Sequence, residues 1–143
     1  MKSTVELEID RSRDEVERLF TDPSRNPEWM HDVQRIEPAS GQLGMPGSSY
    51  RLIPKKGKVV FTATVVARDA EELKLKMEAA NVQVMITAHL VALSPAKTKL
   101  VSEEVFTFSG VLALFGWLVA PAIKKAHRQH MLDFKAFAES EGK

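Results

Sequence analysis

Between Leu112 and Ala138 the apolar residues return at the period of an α-helix, over a longer run than anywhere else in the chain. Leu112, Gly116, Val119, Ala120, Ile123, Met131, Phe134, Phe137 and Ala138 fall on one side of the wheel, with Lys124, Lys125, Arg128, Lys135 and Glu139 on its flanks or back. A stripe of that length must be buried against something of matching size. What precedes it is strand-like, so the sheet that covers it has to curl around it. Pro121 sits inside the stretch and removes one backbone donor, which either kinks the helix or marks the start of its straight part.

The strands announce themselves by alternation. Val5, Leu7 and Ile9 face one way and Glu6, Glu8 and Asp10 the other, a half-buried strand over residues 3–10. Ser12 then reads as an N-cap with Glu15 completing a capping box, and Val16, Leu19 and Phe20 form the stripe of a short helix. Asp22-Pro23 stops it. A second short helical turn fits between Pro23 and about Asp32, with Trp29 and Met30 inward. Strands follow over residues 33–38, 48–53, 59–68, 73–77, 82–93 and 99–108. Tyr50 and Leu52 share a face, as do Val59, Phe61, Ala63 and Val65. Gly41, Gly44 and Gly47, the run Lys55-Lys56-Gly57-Lys58 and the run Ser94-Pro95-Ala96-Lys97 mark turns. Strands spaced this closely imply one antiparallel meander.

Composition narrows the function classes. The chain has 143 residues, a size suited to one domain. Its 20 basic and 19 acidic residues leave a formal charge of +1, so no basic excess is present to neutralise a phosphate backbone and nucleic acid is not an expected partner. There is no cysteine, which excludes disulfides, thiolate nucleophiles and cysteine zinc sites and fits a cytoplasmic location. The longest apolar-rich stretch, residues 108–123, is broken by Ser109, Gly110, Gly116 and Pro121 and falls short of the roughly 20 residues of a bilayer span, so stable membrane insertion is not expected.

The stretch Phe20-Thr21-Asp22-Pro23, then Pro27-Glu28-Trp29-Met30, then Val33-Gln34-Arg35-Ile36-Glu37, together with the Gly41 to Gly47 turns and the terminal Asp133-Phe134-Lys135-Ala136-Phe137, resembles the SRPBCC (START-like) superfamily and its polyketide cyclase/dehydrase-like group. The resemblance spans essentially the whole chain. It implies an α+β helix-grip fold: a curved antiparallel sheet of about six or seven strands wrapped around the long C-terminal helix, with two short helices after strand 1, as a single domain over residues 1–143. It also implies a cavity between sheet and helix that binds or carries a small hydrophobic, lipid- or polyketide-like molecule. The alternative within the same family is a cyclase or dehydrase that uses acid/base residues in that cavity. These are fold signatures, and fold does not fix function. No motif calls for a metal or other cofactor.

A curved sheet cannot lie flush along a straight helix, so geometry also asks for a cavity. Its candidate lining is Trp29, Tyr50, Leu52, Phe61, Leu75, Met77, Val84, Ile86, Phe106, Ile123 and Phe134, any of which could instead be plain core. His127 and His130, three residues apart near the middle of the helix's apolar face, are candidates to orient a ligand, to act as an acid/base pair, or to form half of a metal site, for which no third ligand is evident. The structural alternative is that they reach a solvated mouth or bond a strand carboxylate, Glu103 or Glu104. Of these two, Glu104 shares the parity of Leu100, Ser102, Phe106 and Phe108 and is the one expected to point inward. His89 reads as a solvent-side residue. The catalytic residues, if any, are not identified. Residues 111–118 are apolar around the whole circumference, which leaves open a cavity gate, a homodimer contact, a membrane-touching patch or burial under the loops.

Overall fold

The alternation at the N-terminus survives in space. In β1 (Lys2–Ile9), Ser3, Val5 and Ile9 are buried while Lys2, Thr4, Glu6 and Glu8 face water. The chain then enters α1 (Arg13–Phe20), capped as expected: the Ser12 hydroxyl accepts from the Glu15 N–H at 3.2 Å and donates to the Glu15 carboxylate at 3.0 Å. Val16 and Leu19 are its buried face. Asp22 caps a 3-10 turn over Pro23–Glu28, which delivers Trp29 to the interior. The computed structural model describes residues 1–141.

The remaining elements are β2 (Val33–Ser40), β3 (Ser49–Pro54), β4 (Phe61–Arg68), β5 (Glu72–Ala79), β6 (Val82–Ser94), β7 (Lys97–Phe108) and α2 (Val111–Ser140). The seven strands make one antiparallel sheet in the order β1-β7-β6-β5-β4-β3-β2. Register shifts at Val33/Arg35, Pro38/Ser40, Val65/Ala67 and Ala92/Ser94 bend the strands.

The long helix is seated at one end. Met131, Phe134 and Ala138 are buried. Arg11 donates to the carbonyls of Ala138 and Glu139 at 2.9 and 3.2 Å, satisfying acceptors that the helix end leaves open. The Arg25 guanidinium lies 4.9 Å from the centre of the Phe137 ring and bonds Glu141 at 2.7 Å. α2 packs chiefly against β1, β7 and α1, which leaves the concave face of β3 to β6 uncovered by the helix.

Three expectations need correction. β4 begins at Phe61, so Val59 belongs to the loop after Gly57, a glycine at φ +82°, and is 62% exposed rather than on a strand face. Leu112 and Val119 lie on the exposed side of α2: between Val111 and Val119 only Gly116 is buried, because it packs on the Phe108 ring so closely that a Cβ would come within 2.7 Å. Residues 111–118 are consequently not tucked under the loops. Pro121 lies within the helix Val111–Ser140 and is exposed.

Candidate functional site

The uncovered part of the sheet and the facing turns of α2 enclose a cavity of about 600 Å³. Strand parity builds its wall: Tyr50 and Leu52 from β3, Phe61 and Val65 from β4, Leu73, Leu75 and Met77 from β5, Val84 and Ile86 from β6, and Ser102, Glu104 and Phe106 from β7. α2 supplies Ile123, Ala126, His127, His130 and Met131, and the segment after α1 supplies Asn26, Trp29 and Met30. Every residue named from the sequence as lining is therefore present except Phe134. That side chain is fully buried in an aromatic cluster, with ring centres 4.8 Å from Phe20, 5.1 Å from Trp29 and 6.2 Å from Phe137. It lies one turn beyond Met131, where the helix has already settled onto β1 and α1, so the same stripe has become core.

The two histidines have different surroundings. His127 is fully buried, and both ring nitrogens are engaged: Nδ1 with the Ser3 hydroxyl at 2.8 Å and Nε2 with the Ser102 hydroxyl at 2.9 Å. His130 is half-buried at the mouth, with Nε2 3.8 Å from Asp32. They share no partner, so no acid/base pair forms between them. Glu103 points outward to Lys2 at 3.2 Å, while Glu104 points inward and brings Oε2 to 3.7 Å from His127 Nε2. His89 is exposed beside Glu72.

A separation of 3.7 Å would suit an ion pair, but an ion pair lowers the acid and raises the base. Here burial does the reverse. It pushes the Glu104 carboxyl up to about 7 and, aided by the nearby His130, the His127 ring down to about 4. The pair is a neutral imidazole beside a carboxyl poised near neutrality. Tyr50 is a third polar group of the wall. Its hydroxyl bonds Asn26, and burial holds the phenol up at about 12. Trp29 Nε1 is buried without a hydrogen-bond partner among the described residues. Ser3, Ser102 and Asn26 were not singled out in the sequence. The only signal for the serines was a small hydroxyl on an otherwise apolar strand face. Among the described residues no three His, Asp or Glu side chains are grouped to hold a metal ion.

These shifts fix a pH dependence. The folded state holds the Glu104 proton up to about pH 7, whereas an unfolded carboxyl releases it near 4.5, so stability falls as pH rises through that window and the full cost is present above pH 7. His127 acts oppositely, costing stability as pH falls from 6.5 to about 4. Glu104→Gln should remove the first branch alone. Its gain over the wild type in urea melts should grow from near zero at pH 4.5 to about 1–3 kcal/mol at pH 8. A gain independent of pH would mean that the carboxyl is solvated.

Known proteins carry the same frame. A family model described as polyketide cyclase/dehydrase and lipid transport matches residues 1–139. No protein of curated function matches the sequence. Among solved structures, the Zhui aromatase/cyclase from Streptomyces sp. R1128 superposes with a TM-score of 0.84 at 12% identity, over 100% of this chain and 96% of that one. Truncated norcoclaurine synthase from Thalictrum flavum gives 0.76 at 18% identity, over 100% and 95%. A START superfamily protein from Mycobacterium smegmatis gives 0.71 at 17%, over 96% and 92%. Identities this low establish the helix-grip fold alone. With the family model covering nearly the whole sequence, the chain belongs to the polyketide cyclase/dehydrase and lipid-transport family.

Proposed function

We propose that the chain is a single helix-grip domain that binds and carries a small hydrophobic molecule, lipid- or polyketide-like, in this cavity, and that it works in the cytoplasm. The observation that supports this most is the cavity itself, about 600 Å³ walled by Leu, Ile, Val, Met and aromatic side chains. That volume and chemistry are those of small-molecule sites. Among the described residues Glu104 has no ion-pair partner but His127, at 3.7 Å, and burial raises its carboxyl to about 7, which leaves it available to meet the polar end of a ligand. The similar norcoclaurine synthase is known in complex with dopamine and hydroxybenzaldehyde, compact aromatic molecules of the size such a cavity takes.

N-phenyl-1-naphthylamine, an uncharged apolar fluorophore, should bind the wild type saturably at one site. Ile86→Trp places an indole in the cavity and should weaken that binding at least about tenfold, equivalent to 1.4 kcal/mol, while the far-UV spectrum stays that of the wild type. Equal affinity in the filled variant would remove the cavity from the account. A catalytic reading draws support from one observation, that a carboxyl poised to about 7 suits general acid/base work. On that reading Glu104→Gln retains probe binding and loses turnover of a cyclisable polyketide-like substrate.

A further inference from the structure

Among the described residues, the first turns of α2 are covered only at Gly116. Val111, Leu114, Phe115, Trp117 and Leu118 are 51 to 72% exposed, and Val111, Leu114 and Leu118 share the stripe opposite Gly116, the residue that rests on Phe108. An isolated exposed leucine is ordinary. Five large apolar side chains within eight residues are not.

The loop between β3 and β4 lies at the same end of the sheet. Pairing runs from Leu52↔Phe61 through Thr62↔Glu78 and Ala79↔Val82 to Val82↔Phe108, so the start of β4 and the end of β7 share that edge. The loop's Lys55, Lys56 and Val59 line the cavity together with Ile123, Ala126 and His130 of α2, and these segments form its mouth. Val59 is exposed as well.

The charge of these two segments is one-sided. Residues 55–60 and 111–128 contain Lys55, Lys56, Lys58, Lys124, Lys125 and Arg128 and no acidic residue, although the chain as a whole has 20 basic and 19 acidic residues. None of the six is in an ion pair among the described residues. Every other lysine or arginine with a described side chain, except Arg18, is in one. Asp32, an acid that also lines the cavity, faces His130. An aromatic and aliphatic helix end followed by unpaired cations is the pattern that settles into the headgroup region of an anionic bilayer, apolar side chains below and basic groups at the phosphates. No helix among the described residues is long and apolar enough to cross a membrane, which agrees with contact at the surface.

We propose that this end of the molecule docks on an anionic lipid surface through Trp117, its apolar neighbours and the basic residues of these two segments. Docking needs no cavity ligand, so its test is independent of the binding reading. The protein is mixed with vesicles of phosphatidylcholine containing 30% phosphatidylglycerol, and with vesicles of phosphatidylcholine alone, then sedimented. The wild type should partition onto the anionic vesicles and largely leave them at high salt. Its tryptophan emission should shift to the blue, a change Trp117 can make and the already buried Trp29 cannot. Lys124→Gln with Lys125→Gln should weaken partition about 30-fold, at about one kcal/mol per charge, and Trp117→Ser with Leu118→Ser should abolish it, both with wild-type circular dichroism. Absence of the wild type from anionic vesicles would overturn the proposal. So would a dimer in analytical ultracentrifugation that Trp117→Ser with Leu118→Ser dissociates while vesicle binding persists unchanged, because the face would then serve a second copy.

Discussion

Phe134→Ala is expected to destabilise the protein by about 3–5 kcal/mol in urea denaturation, the range for removing a fully buried phenyl ring. Phe134 is 0% exposed and is the central ring of the cluster formed with Phe20, Trp29 and Phe137. That cluster joins α1, the 3-10 turn and α2, and it seats the only stretch of α2 that the Arg11 and Arg25 contacts also hold. A loss below about 1 kcal/mol would mean that the cluster collapses freely and does not anchor the helix.

His127→Leu should cost about 2–4 kcal/mol. The substitution keeps volume on the buried face but strips the partners from two buried hydroxyls, Ser3 and Ser102, at about 1–3 kcal/mol for each group left unsatisfied. Adding Ser3→Ala and Ser102→Ala to the same variant removes the orphaned groups and should recover at least about half of that loss, since replacing all partners of a buried polar contact is far cheaper than replacing one. If the triple variant is no more stable than His127→Leu alone, the serines are satisfied elsewhere and the network is not what holds the helix to β1 and β7.

The fold was readable because it is written in two periods. Val5 and Ile9, Tyr50 and Leu52, and Leu73 on β5 alternate as buried strand faces do, and the terminal stripe has the helical period. Parity alone turned Glu104 inward. Other features depend on contacts far apart in the chain. The partners of His127 follow from the β1–β7 register, in which Ser3 lies opposite Glu104 and Val5 opposite Ser102, and no local pattern sets that register. Phe134 and Ile123 occupy one stripe, yet one is core and the other cavity wall, because Phe134 meets Phe20 and Trp29 from distant segments while Ile123 faces the cavity. The exposure of residues 111–118 was equally hidden, since an apolar segment reads the same whether covered or bare.

Intermolecular nuclear Overhauser effects from bound N-phenyl-1-naphthylamine test the central claim most directly. Cross-peaks to the methyl groups of Leu75, Met77 and Ile86, which face one another across β5 and β6 inside the cavity, are the predicted result. Cross-peaks confined to Leu114 and Leu118 on the outer face of α2, with none to those three methyls, would contradict it.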